Sequence, residues 1–271
     1  MFVNINGKNI PQVSSNVSPL KEGFSYGYGV FETIKFEKNK IYFLKEHLQR
    51  LFDGCKKLNI NPTFNEEQII QHSKEIIKKN ELDNGVLKIT IAKNNQESDL
   101  IITVRKNTYT KEQYEKGFRL SFTEVKRNQD SLLVNIKSNN YIENLIARQK
   151  AIETGFDEVI FENTKNHICE GAISNIFFIK NSVVYTPAIE CGLLPGIIRD
   201  KIISIGKGLK LIVRTGQYSK EDLLTSDEIF ITNSLLEIMP VVQLENKKYD
   251  IKTNLITKML IRELNEIKEN Y

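Results

Sequence analysis

A chain of 271 residues, 40% hydrophobic and 27% charged, has the composition of a globular protein with roughly two domains and a core that needs no disulfide or metal staple. Its 38 basic residues exceed its 34 acidic ones by 4, and the two signs interleave, which argues against a dedicated nucleic-acid binder. No apolar run approaches the ~18 residues of a membrane span, and the polar start at Met1–Pro11 predicts no signal peptide.

In chain order, Phe2–Asn6 predicts a short strand ending in an Asn6-Gly7 turn. The Gly-rich stretch from Gly23 to Gly29 fits neither a Rossmann nor a Walker loop, and reads as a plain loop or a pocket lining. Phe31–Phe36 and Ile41–Phe43 flank a polar turn, Glu37–Lys40, and predict a hairpin. Helical spacing marks Lys45–Leu58 and Asn65–Lys79. Val86–Ala92 and Leu100–Val104 predict strands around a polar Lys93–Asp99 loop. Residues 106–117 are polar and lack periodicity, so they read as a connection between a domain at 1–105 and another at 118–271. The second part starts with strand Arg119–Val125 and helix Ile142–Thr154, closed by Gly155. Strands are predicted at Glu158–Glu162, Ile173–Ile179, Val183–Thr186, Leu211–Arg214, Glu228–Ile231 and Val241–Leu244, with helices at Ile197–Lys207 and Leu255–Ile267. The pattern is α+β.

The cysteines, Cys55, Cys169 and Cys191, are odd in number and lack CxxC spacing, which predicts no disulfide framework or zinc site and suits a reducing, cytoplasmic setting. His47 and His72 sit in Lys/Glu-rich helical stretches and are expected to be solvated. Three scattered histidines make no triad, so acid–base chemistry is sought in lysine, carboxylates or a cofactor.

Four patches could carry it. Lys137 ends a β-like run among Val134, Ile136 and Tyr141, where a lysine can form Schiff bases. Glu170 stands at the mouth of an apolar strand and needs a partner if buried. Leu193-Leu194-Pro195-Gly196-Ile197-Ile198 opens a helix whose first N–H groups can bind phosphate. Thr232-Asn233-Ser234 supplies small polar donors after a strand. Arg50, on the first helix, could grip a phosphate bidentately. Singly, each also suits a surface residue, a turn or a helix start. Together they have a common explanation in a pyridoxal 5'-phosphate site.

The order Arg50, Lys137, Glu170, Leu193–Ile197 and Thr232–Ser234 resembles the class IV, or fold-type IV, pyridoxal-phosphate enzymes, which include branched-chain and D-amino acid aminotransferases and aminodeoxychorismate lyases. The stretches 27–33, 137–141, 170–175 and 232–240 are most similar to the lyase branch. Two departures weaken the transaminase reading: Phe31 stands where D-amino acid aminotransferases usually carry tyrosine, and Lys93-Asn94 replaces an Arg-Gly pair.

The resemblance implies a small N-terminal α/β domain and a larger C-terminal β-rich pseudo-barrel domain with the cofactor between them, usually in a homodimer. It implies Lys137 as cofactor anchor and general base, Glu170 on the ring nitrogen, and Leu194 against a ring face. Arg50, the N–H groups of Ile197 and Ile198, and Thr232 or Asn233 would hold the phosphate. Tyr141 would meet the pyridine hydroxyl, and Phe31 the substrate. Lys93 and Arg105 are candidates for substrate carboxylates by charge alone. The activity implied is β-elimination of 4-amino-4-deoxychorismate to 4-aminobenzoate and pyruvate, a step of folate synthesis. The alternatives are an aminotransferase and, more remotely, a non-catalytic protein that keeps the fold.

Overall fold

The computed structural model describes residues 1–38 and 40–271. The chain divides into two compact units: Met1–Thr108 with Ile136–Asn140, and Tyr109–Asn135 with Tyr141–Tyr271. The five residues Ile136–Asn140, expected within 118–271, group with the first unit.

In that unit, strands β1 (Phe2–Ile5) and β2 (Lys8–Pro11) form a hairpin. Its turn residues Asn6 and Gly7 have φ of 50° and 80°, the left-handed pair a two-residue turn requires and these residue types tolerate. A one-turn helix, α1 (Glu22–Ser25), leads to β3 (Gly29–Glu37) and its short partner β4 (Lys40–Ile41). Asn39, inside the expected Glu37–Lys40 turn, lies outside the described residues. Helices α2 (Leu44–Lys57) and α3 (Glu66–Lys79) follow, then β5 (Asn84–Asn94) and β6 (Glu97–Arg105). The sheet runs β2-β1-β6-β5-β3-β4, and every described pair is antiparallel.

Burial on β3 alternates with the two-residue period of a strand. Val30, Ile34 and Phe36 point into the core with Glu32, whereas Phe31, Thr33 and Lys35 point to the other face and are less buried. Helix α2 buries His47, Leu48, Leu51, Gly54 and Cys55, one stripe at helical spacing. Helix α3 adds Ile69, Ile76 and Ile77, and its start is fixed by a capping box between Asn65 and Gln68. These apolar side chains form one core with Leu87, Ile89 and Ile102. His47 is 0% exposed, which corrects its expected solvation.

The second unit opens with α4 (Lys111–Lys116) and β7 (Phe118–Arg127). The helix occupies part of the stretch read as irregular, capped by a box between Thr110 and Gln113. Helix α5 (Ile142–Glu153) follows, then β8 (Glu158–Asn163), β9 (Ile168–Gly171), β10 (Asn175–Lys180) and β11 (Val183–Pro187). Next come α6 (Ile197–Gly208), β12 (Val213–Gly216), α7 (Lys220–Leu224), β13 (Glu228–Asn233), β14 (Glu237–Leu244), β15 (Lys247–Lys248) and α8 (Leu255–Glu269).

The sheet path is β12-β11-β10-β13-β14-β7-β8-β9, with β15 on β14. Pairs β11–β12, β14–β7 and β7–β8 are parallel. Strand β9, last on the path, packs beside β10 and β11 near the other end, so the sheet curls towards closure. Strands β8, β10 and β13 are buried almost throughout, which explains their continuous apolar runs. Phe177 and Phe230, paired across β10 and β13, stack at 4.9 Å between centroids. No helix of the described residues is long and apolar enough to cross a membrane.

Phe230 is fully buried and Val13 is 96% exposed. In chemical denaturation, Phe230→Ala should cost about 3–5 kcal/mol, while Val13→Ala should stay within about 0.5 kcal/mol of the parent.

Candidate functional site

Segment Ile136–Asn140 adds itself to the free edge of β3. The Phe31 N–H donates to the Lys137 carbonyl at 2.9 Å, the Asn139 N–H donates to the Gly29 carbonyl at 2.9 Å, and Val30 bridges Ser138. Any Cβ on Gly29 would lie 2.6 Å from the Asn139 amide and 2.8 Å from the Ile91 carbonyl, so the docking requires glycine there. Antiparallel pairing puts Lys137 opposite Phe31 on one face. Its Nζ stands 4.5 Å from the centre of the Phe31 ring.

Glu32, next along β3, faces the core. Arg50 donates from Nε to Oε1 and from Nη2 to Oε2, both at 2.7 Å, and His47 Nδ1 meets Oε2 at 2.6 Å. Burial alone would push the Glu32 carboxyl up; the charge of Arg50, with hydrogen bonds from Arg50 and His47, brings it down to about 2. Burial lowers His47, Glu32 pulls it back up through charge and hydrogen bond, and Arg50 and Lys137 lower it further, so the net shift is downward. The ring is therefore neutral, with its proton on Nδ1 towards Glu32. That tautomer leaves buried Nε2, which has no hydrogen-bond partner, as a bare lone pair rather than a stranded donor. The clamp fixes the guanidinium of Arg50, the predicted phosphate partner.

In the second unit, Glu170 ends β9 and is 8% exposed. Its Oε2 accepts from the Leu194 N–H at 3.1 Å and from Asn175 Nδ2 at 3.3 Å. Arg127 Nη2 lies 3.5 Å from Oε1. The Arg127 guanidinium stacks on Phe161 at 4.2 Å and donates from Nη1 to Asn144. Asn175 also donates to the Leu194 carbonyl at 2.9 Å, tying the half-buried Leu194–Gly196 turn to the carboxylate. A Cβ at Gly196 would lie 1.9 Å from Asn175 Oδ1, so no side chain fits there.

Ile197 and Ile198 begin α6, where Gly196 supplies no side-chain cap, and the first N–H groups of a helix have no intrahelical partner. The Thr232 hydroxyl is buried and has no hydrogen-bond partner among the described residues. Asn233 is engaged: its amide donates to the Ile173 carbonyl, and its oxygen accepts from the N–H groups of Leu235 and Leu236. Of the two predicted polar donors, the threonine hydroxyl is the one left over. Tyr141 is the residue before α5, in N-cap position.

Glu158 holds the turn between Glu170 and Asn175. It accepts from the Ala172 and Ile173 N–H groups and the Ser174 hydroxyl at 3.2–3.3 Å. Burial pushes its carboxyl up against the opposing pull of these N–H groups and Arg148.

Phe31, Arg50 and Lys137 thus belong to the first unit; Tyr141, Glu170, Leu194, Ile197, Ile198, Thr232 and Asn233 belong to the second. The first unit offers an amine beside an aromatic floor. The second offers an oriented carboxylate, an uncapped helix start and a spare hydroxyl. This donor set suits a ring nitrogen and a phosphate. No group of three or more potential metal ligands occurs among the described residues. Sequence reasoning missed Glu32, His47, Arg127, Asn175 and Glu158. The signal for the first two was a carboxylate in the buried register of β3 and a histidine three residues before an arginine on the apolar side of α2.

Comparison with known proteins adds family evidence. The family model for amino-transferase class IV matches residues 29–244. The chain is 29% identical to the aminodeoxychorismate lyase of Bacillus subtilis, covering 96% of this chain and 92% of that protein. A Legionella pneumophila protein provisionally assigned as a 4-amino-4-deoxychorismate lyase superposes with a TM-score of 0.88 at 30% identity, covering 94% and 96% of the two chains. The Escherichia coli branched-chain amino acid aminotransferase superposes with a TM-score of 0.90 at 25% identity, covering 96% and 92%.

Glu32→Gln would leave Arg50 facing an amide in a mostly buried setting, at a cost of about 3–5 kcal/mol at pH 7. The folded carboxyl titrates near 2 against an ordinary value of 4.5. The Glu32 contribution is therefore complete above pH 4.5 and fades as the pH falls towards 2. Urea titrations at pH 7 and pH 3 should show the gap between parent and variant narrowing in acid.

Proposed function

We propose, since this chain belongs to the class IV aminotransferases, that it is a pyridoxal-phosphate enzyme that converts 4-amino-4-deoxychorismate to 4-aminobenzoate and pyruvate. The observation that carries this choice is the Lys137 ammonium over the Phe31 ring. A flat apolar floor beside the reactive amine suits a ring substrate, and lacks the hydroxyl that the D-amino acid branch uses for its substrate carboxylate. The 29% identity to the Bacillus subtilis lyase over nearly the whole chain supports the same reading.

Pyridoxal phosphate supplies an aldehyde that takes an amine covalently and a ring that accepts electrons. Lys137 anchors it. Glu170, steadied by Asn175, the Leu194 N–H and Arg127, presents a carboxylate to the ring nitrogen. Thr232, the N–H groups of Ile197 and Ile198, and Arg50 receive the phosphate, and Leu194 backs the ring. Tyr141 serves as the donor to the pyridine hydroxyl.

Lys137 Nζ takes the proton from the ring carbon that bears the substrate amine. The bond between the neighbouring carbon and the ether oxygen breaks, and the enolpyruvate leaves with that electron pair. Lys137 returns a proton to its methylene carbon, giving pyruvate. Aromatisation of the remaining ring makes the release effectively irreversible. The enzyme is a homodimer in this reading, so light scattering should return the mass of two chains.

The deciding assay supplies aminodeoxychorismate and follows pyruvate and 4-aminobenzoate together. Amino transfer to a 2-oxo acid, with no pyruvate released, would replace the lyase reading with an aminotransferase. The purified protein should be yellow, and borohydride should bleach it while fixing the cofactor to Lys137. Lys137→Ala should be colourless and slower by about 10²–10⁴-fold or more. Thr232→Val should keep its fold by circular dichroism but need more cofactor for half-saturation in an absorbance titration.

A further inference from the structure

The outward face of the first unit's sheet carries cations that the proposed reaction leaves unused. Direct partners across antiparallel strands share a face. Phe31, Thr90 and Ile101 therefore form one row, Thr33, Lys88 and Thr103 the next, and Lys35, Val86 and Arg105 a third. Lys137 extends the first row at the edge of β3.

Lys88 reaches diagonally from the second row, and its Nζ stands 4.6 Å from the centre of the Phe31 ring. Lys137 Nζ stands 4.5 Å from the same centre. Two ammonium groups thus lie against one aromatic ring. Lys88 is an exposed residue whose ammonium is lowered by partial desolvation from its neighbours and further by the charge of Arg105. Gathering like charges in this way is unfavourable without a counter-anion.

The acids at the margins of this face have other partners. Glu37 takes Lys35 at 2.9 Å, and Asp99 takes Lys21 at 2.8 Å. Among the described residues neither Lys88 nor Arg105 forms an ion pair; Arg105 donates to the Lys106 carbonyl. Lys93, a candidate from charge alone, lies over Tyr28 instead, at 4.9 Å.

We infer that Lys88 binds the substrate carboxylate that lies across the ring from the reacting amine, and so selects ring amines with a distal carboxylate over α-amino acids. The inference rests on the lyase reading. A ring laid on Phe31 turns its amine towards Lys137 and its para substituent towards Lys88. An α-amino acid carries its carboxylate one carbon from the amine and cannot reach both groups in that way. Arg105, one row further on, adds positive field behind Lys88. Lys88 acts on binding and position; the proton transfers stay with Lys137.

The test uses the cofactor-loaded enzyme and two probes that differ in the distal group alone, 4-aminobenzoate and 4-aminobenzamide, with calorimetry as the readout. The parent should prefer the benzoate by tenfold or more. Lys88→Arg should keep most of that preference and Lys88→Gln should lose it, while the absorption spectrum of the bound cofactor stays the same in all three. With aminodeoxychorismate, Lys88→Gln should raise KM at least tenfold and change kcat less. A parent with no preference, or a Lys88→Gln variant that keeps it, would overturn the assignment. The lyase reading fails separately, through absence of pyruvate from the parent enzyme, whatever the probes show.

Discussion

Neighbouring residues of a β-strand point to opposite faces, and at Phe31 and Glu32 both faces matter. Phe31 looks outward, and the Lys137 and Lys88 ammonium groups each lie against its ring. Glu32 looks inward and clamps Arg50 and His47 from α2. The same stretch of β3 offers its free edge to the segment that bears Lys137. One strand thus sets the position of the lysine proposed as anchor, its aromatic neighbour and the arginine proposed for the phosphate. A shift of register by one residue would bury Phe31 and expose Glu32, so these positions stand or fall together.

Buried carboxylates in this chain show how their partners decide their state. Glu32 is met by a guanidinium and an imidazole, and the cationic partner overcomes burial to bring the carboxyl to about 2. Glu158 is met mainly by backbone N–H groups, with Arg148 as its charged neighbour, and there burial wins and the carboxyl rises. The two do different work. Glu32 holds a charged side chain in place, while Glu158 ties down the turn that links Glu170 to Asn175. Dipoles suffice to position backbone, whereas a buried guanidinium needs a full opposing charge.

Long periodic elements were legible in the sequence because their burial follows simple periods. Helices α2 and α3 keep their apolar stripes, and strands β3, β5 and β6 fall where β-rich runs stand. Strand β9 was missed because four residues are too few to show a period. Helix α4 was missed because Tyr114 is its one apolar position, too few to show a period, although Thr110 and Gln113 carried the capping signature. The excursion of Ile136–Asn140 into the first unit was hidden for another reason: it is set by hydrogen bonds to Gly29 and Phe31, more than a hundred residues earlier. Residue types named the candidates Lys137, Glu170 and Arg50. Their partners Arg127 and Asn175 emerged from tertiary contacts, and Glu32 had only its place in the buried register of β3 to mark it.

The scarcity of histidine acquires a physical sense from the same contacts. His47 feels the Lys137 charge, yet it is 0% exposed and held in its neutral form by burial, Arg50 and Lys137. Its Nδ1 proton is committed to Glu32, and its Nε2 faces no donor. A proton carrier must exchange protons with its surroundings, and an imidazole with no exposed surface and its Nδ1 proton on Glu32 is poorly placed to do so. Lys137 is half-buried, flexible in its four-carbon stem and placed over a ring that tolerates its charged form through cation–π attraction. A group that alternates between ammonium and amine needs such an environment, apolar enough to permit the neutral form and electron-rich enough to hold the charged one. Both proton movements of the proposed elimination therefore fall to one lysine, and His47 serves to steady Glu32, the carboxylate that holds Arg50.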